Sequence, residues 1–131
     1  MKTLATIAYK YLALHGTVRY KALMSESLQV QLKKGVLEMC VLSLLSKADN
    51  YAYEIAAHMA DAVGMGEGTI YPLMRRMQNE NLVTTYLKES ASGPPRKYYR
   101  LTRTGTAAFK AQRAEWDEFR SAVAKILGDA S

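Results

Sequence analysis

Residues 69–87 read Thr69-Ile70-Tyr71-Pro72-Leu73-Met74-Arg75-Arg76-Met77-Gln78-Asn79-Glu80-Asn81-Leu82-Val83-Thr84-Thr85-Tyr86-Leu87, and their apolar period changes partway along. Up to Glu80, the residues Ile70, Leu73, Met74 and Met77 recur at steps of three and four, which places them on one face of a helix. From Leu82 onward valine, threonine and tyrosine dominate, and these side chains fit a pleated strand. Lys97–Leu101 has a similar composition, and Ser90-Ala91-Ser92-Gly93-Pro94-Pro95 between the two runs is built of turn formers. The stretch therefore predicts a helix followed by a β-hairpin.

Working upstream, Leu28, Leu32, Val36, Met39, Leu42 and Leu45 keep helical spacing and predict a helix over Ser27–Leu45, apolar on most sides in its second half. Asp49-Asn50 is a turn and capping signal. A second helix, Tyr51 to Ala62, carries Ile55 and Met59 on one side before Gly64, Gly66 and Gly68 break the chain. Downstream, Thr102 can cap a last helix over about 104–127, where Phe109, Gln112, Trp116, Phe119, Val123 and Ile126 alternate steps of three and four. That is a heptad seam with one polar position, and such a seam needs a partner helix. The expected fold is mainly α with a small β-hairpin: a winged helix-turn-helix over residues 25–103 and a long C-terminal dimerisation helix over 104–131. The alternative use of the seam is docking on the first helix of the same chain.

The chain has 131 residues and a formal charge of +6, a balance that invites a polyanionic partner. Its distribution weakens that inference. Residues 1–24 hold four of the eighteen basic residues and no acid, so residues 25–131 hold fourteen basic against twelve acidic residues and carry only +2. The composition of residues 1–24 predicts an N-terminal extension, non-native or flexible, with Met24 as the natural start; the alternative is an added helix around Ile7 to Leu14. No apolar run approaches the roughly 18 residues of a membrane span, so a cytoplasmic protein with no membrane association is expected. The single cysteine, Cys40, sits among aliphatic neighbours and is expected to be a buried structural thiol.

With its core face assigned, the third helix leaves Thr69, Tyr71, Pro72, Arg75, Arg76 and Gln78 on the outer side. Thr69 and Tyr71 lie near the helix start, where free amides and the helix dipole favour an anion and where recognition helices meet base edges. Arg75 and Arg76 can grip phosphate or read guanine, although such residues also make ordinary solvated faces. In the hairpin, Arg96, Lys97 and Arg100 follow a Gly-Pro-Pro tip. Strand alternation separates Arg96, Tyr98 and Arg100 from Lys97, Tyr99 and Leu101; Tyr99 and Leu101 are expected to face the core, while Lys97 near the tip still reaches phosphate, and the wing cations give salt-dependent affinity with little sequence choice.

These features are joined by a family resemblance. Asp49-Asn50-Tyr51-Ala52-Tyr53-Glu54-Ile55, Gly68-Thr69-Ile70-Tyr71-Pro72-Leu73-Met74-Arg75-Arg76-Met77 and Gly93-Pro94-Pro95-Arg96-Lys97-Tyr98-Tyr99-Arg100-Leu101-Thr102 resemble the PadR family of transcriptional regulators over about residues 27–127. Ala52 departs from the pattern, since many relatives have glycine there. The resemblance implies a homodimer that binds double-stranded, pseudo-palindromic operator DNA, usually as a repressor. It places Tyr71 and Thr69 at the DNA-facing start of the recognition helix, and Arg96 and Lys97 in the wing. It also implies that the last helix of one chain packs on the first helix of the other. The dimer interface is then expected at Phe109, Trp116, Phe119, Val123 and Ile126. Trp116 reads either as a plain anchor of that interface or, by likeness to short-tailed multidrug-sensing members, as a stacking surface for a small planar aromatic effector.

Other functions find little support. His15 and His58 stand without a nucleophile or acid at catalytic spacing, so no enzyme is expected, and two histidines with one cysteine give neither a metal site nor a cofactor site. Gly64, Gly66 and Gly68 lack the lysine and the preceding strand of a phosphate loop. The competing reading is a winged-helix module that binds another protein without sequence-specific DNA contact.

Overall fold

The computed structural model describes residues 32, 33 and 35–129; the predicted extension 1–24 and the start of the first predicted helix lie outside them. Contacts divide the chain between Leu37 and Glu38, and the architecture below is that of the unit beginning at Glu38. In chain order the elements are α1 (Leu37–Lys47), β1 (Asn50–Tyr51), α2 (Ala52–Val63), α3 (Glu67–Asn79), β2 (Val83–Ser90), β3 (Gly93–Leu101) and α4 (Arg103–Leu127). Among the described residues, four helices and an antiparallel sheet of order β1-β3-β2 make a winged helix.

The core forms where the apolar faces of α1, α2 and α3 meet the base of the hairpin. Val41, Leu42, Ile55, Ile70, Met74, Met77 and Val83 are fully buried, and Tyr99 is nearly so. Each such aliphatic side chain contributes roughly 1.5–3 kcal/mol of burial free energy, so the helical face deduced for α3 is what anchors it.

The structure departs from the expected elements in four places. The first predicted helix is not continuous: residues 35–36 form a turn, and the amide of Val36 donates to the carbonyl of Lys33 at 3.0 Å. Gly35 lies in that turn, and glycine costs a helix interior about 1 kcal/mol relative to alanine. Asp49 and Asn50 do not cap α2, whose start at Tyr51 has no side-chain cap. Instead Asn50 and Tyr51 pair with Tyr99 and Tyr98 as a short third strand, so the expected hairpin is the larger part of a three-stranded sheet. α3 begins at Glu67, ahead of the Thr69 expected near its start, and this puts Pro72 in the second turn of the helix. There its missing amide leaves the carbonyl of Gly68 without its helical donor. Cys40, expected buried, is only half-buried.

Two joints set the hairpin and α4. Asn81 has a φ of 61°, a left-handed conformation that asparagine tolerates, and turns the chain from α3 into β2. Thr102 then caps α4 as expected: its Oγ1 accepts from the amide of Gly105 at 2.9 Å and donates to the carbonyl of Asn81 at 2.6 Å. Gly105 is buried against the backbone of Leu82, where a Cβ would collide with the carbonyl oxygen.

Candidate nucleic-acid interface

Because Ile70, Met74 and Met77 are buried, α3 turns Thr69, Pro72, Arg75 and Arg76 outward, all exposed. Tyr71 is half-buried between that face and the body. Partial desolvation, followed by the nearby Glu67, Tyr53 and Tyr99, pushes its phenol above the ordinary tyrosine value, so it is a neutral hydrogen-bonding group at physiological pH.

The two arginines of α3 are in different states. Among the described residues Arg75 forms no ion pair. Arg76 lies 3.1 Å from Glu38 of α1 and 3.3 Å from Glu80, four residues along its own helix. The geometry toward Glu38 Oε1 is that of a charge contact without hydrogen-bond alignment. The other oxygen of Glu38 accepts from Gln112 Nε2 at 2.6 Å. Glu38 thus joins α1 to both α3 and α4. Gln112, the polar interruption of the heptad seam, has its partner here.

In the wing, register assigns the faces. Thr84, Tyr86 and Lys88 on β2 stand opposite Arg100, Tyr98 and Arg96 on β3, while Val83, Thr85 and Leu87 stand opposite Leu101, Tyr99 and Lys97. Arg96 and Lys97, both exposed, therefore point to opposite faces. Lys97 lies on the face of the buried Tyr99, its Nζ 5.6 Å from that ring. On the other face Tyr98 packs between Tyr51 and Tyr86, with centroids 5.5 and 5.7 Å away. A cation covers each ring: Arg96 over Tyr51 at 4.5 Å, Lys88 over Tyr98 at 5.0 Å and Arg100 over Tyr86 at 4.8 Å. Arg100 is also bound to Asp49 at 2.9 Å, and Tyr86 donates to the same carboxylate at 2.8 Å. That hydrogen bond first, then desolvation, raises the phenol of Tyr86. Sequence reasoning passed over Lys88, because its place beside Arg96 depends on strand register and no motif marks it.

On α4 the seam divides. Phe109 and Trp116 line a groove of about 380 Å³ with Met39, Cys40 and Leu44 of α1 and with His58 and Met59 of α2. Burial raises the Cys40 thiol there, which disfavours the reactive thiolate. Further along, Phe119 is 63% exposed and Ile126 is 86% exposed, while Val123 is half-buried. Among the described residues no helix is long and apolar enough to cross a membrane, and no cluster of His, Cys, Asp and Glu is arranged to hold a metal.

Residues 41–111 match the transcriptional regulator PadR-like family. Among solved structures, a PadR-like transcriptional regulator from Bacillus cereus is 36% identical, with a TM-score of 0.70, over 76% of this chain and 99% of that one. A PadR family transcriptional regulator from Eggerthella lenta is 33% identical, also with a TM-score of 0.70, over 85% and 97% of the two chains. A PadR family regulator from Clostridium difficile is 31% identical with a TM-score of 0.65, covering 70% of this chain and 98% of that one.

Proposed function

This chain belongs to the PadR-like family of DNA-binding transcriptional regulators, and from that premise we propose that it is a cytoplasmic repressor acting as a homodimer on a pseudo-palindromic operator. The observation that carries this reading is the exposed outer face of α3 beside a wing that bears exposed cations on both of its faces. Thr69 and Tyr71 read base edges, Arg75 contributes guanine or phosphate contact, and Arg96 and Lys97 hold phosphates from the wing. Arg76 joins them only by exchanging its two carboxylates for DNA. Residues 25–103 serve as the DNA-binding part and 104–131 as the dimerisation part.

The dimer is supported by the uncovered apolar residues of α4. Phe119, Val123 and Ile126 bury their side chains against the partner, with Phe109 and Trp116 at the groove end of the same seam. Two-fold symmetry then sets two α3 helices in successive major grooves. The groove beside Trp116 receives a small planar aromatic effector that releases the operator.

Selection of bound fragments from random duplex DNA tests the whole reading. A pseudo-palindrome should emerge, bound at least a thousandfold, on the order of 4 kcal/mol, more tightly than random duplex. Tyr71→Ala should erase most of that preference, and Lys97→Ala should weaken both duplexes alike. Adding a planar aromatic dye to the same titration should release the operator and quench Trp116, and the release should be lost in Trp116→Ala. Equal affinity for all duplexes would leave the protein-binding module as the better account.

A further inference from the structure

Lys88 and Arg96 stand directly opposite each other on β2 and β3, on the same face of the wing and both exposed. Like charges in opposed cross-strand positions repel, whereas opposite charges there stabilise the pair. Among the described residues neither forms an ion pair, in contrast to Arg100 four residues further along β3, which Asp49 neutralises. The two cations rest instead on aromatic rings, Lys88 over Tyr98 and Arg96 over Tyr51, and those rings pack on one another. Cation–π contact fixes the stems while leaving the hydrogen-bond donors unspent. Opposed Cβ atoms lie only about 5 Å apart, close enough for both head groups to converge on one tetrahedral anion.

We propose that Lys88 and Arg96 form a two-cation clip for a single backbone phosphate of duplex DNA on the outer face of the wing, with Tyr98 and Tyr51 as its seats. The inference rests on the DNA-binding reading and adds a residue, Lys88, that neither motif nor alternation singled out, together with its pairing to Arg96 on one phosphate. Lys97, on the opposite face, takes a different phosphate.

The test is a salt series of binding to a random-sequence duplex and to the selected operator, using the full chain with Lys88→Gln, Arg96→Gln and the double variant. Each single variant should weaken both duplexes several-fold and leave their ratio unchanged. Because both cations serve one phosphate, the double variant should lower the log–log salt slope by about one, where two separate contacts would lower it by about two. Lys88→Arg should bind like the parent. Lys88→Met, which keeps the aliphatic stem over Tyr98, should melt like the parent and still lose affinity, separating binding from folding. A Lys88→Gln variant with parental affinity and slope, while Tyr71→Ala has lost operator preference, overturns the clip and leaves the DNA reading standing. A slope reduced by two in the double variant also overturns it. A parent that binds no duplex overturns both.

Discussion

The smallest residue at a joint sets the direction of the longest helix. Gly105 is buried where α4 leaves the sheet, and its lack of a side chain lets the helix backbone sit against the carbonyl of Leu82. That carbonyl also accepts from the amide of Thr102 at 3.1 Å, so it cannot move aside without breaking the joint. Gly105→Ala should therefore cost about 3 kcal/mol, at the upper end of overpacking penalties; chemical denaturation would reveal it as a lower midpoint with an unchanged slope. A variant as stable as the parent would mean that the joint yields. Thr102 as a cap was legible in the sequence, because threonine before a helical run has a local meaning. The need for glycine three residues later was not, because the atom it avoids belongs to Leu82, whose place is fixed by the sheet.

At the scale of elements, the sheet is tied together by one carboxylate. Asp49 accepts from Tyr86 on β2 and from Arg100 on β3, so it holds both strands of the wing from the segment preceding β1. The hydrogen bond raises the Tyr86 phenol above its unfolded value near 10. The stabilisation is then fully present below that unfolded value and is lost as pH rises through the higher folded one. Tyr86→Phe should melt below the parent at pH 8, and the gap should close as the pH passes beyond about 10; a gap that persists in alkali would assign the loss to packing. Sequence periodicity found α2, α3, α4 and the hairpin because each repeats its own pattern over many residues. It missed β1, since two residues carry no period, and it assigned Asp49 and Asn50 to a helix cap because their partners lie far along the chain.

At the scale of the molecule, the governing fact is that, among the described residues, α4 runs beyond what its own body covers. Its first half faces α1 and α2 across the groove, while Phe119 and Ile126 stand in solvent. Covering them in a second copy removes apolar surface from water at roughly 25 cal/mol per Å². Phe119→Glu combined with Ile126→Glu should therefore give a monomer in sedimentation at micromolar concentration, still folded and with much weaker operator binding. A parent that is itself monomeric would remove the two-fold reading of DNA. The sequence by itself determined the winged-helix class, the outward face of α3 and the basic tip of the wing, since helix and strand periods and turn chemistry are local properties of the chain. Only the tertiary structure decided that Arg76 is held by Glu38 and Glu80 while Arg75 forms no ion pair among the described residues, that Gln112 answers Glu38, and that Lys88 faces Arg96. The reason is physical: ion pairs and strand register join residues far apart in the chain, and which charges meet is settled when the elements pack.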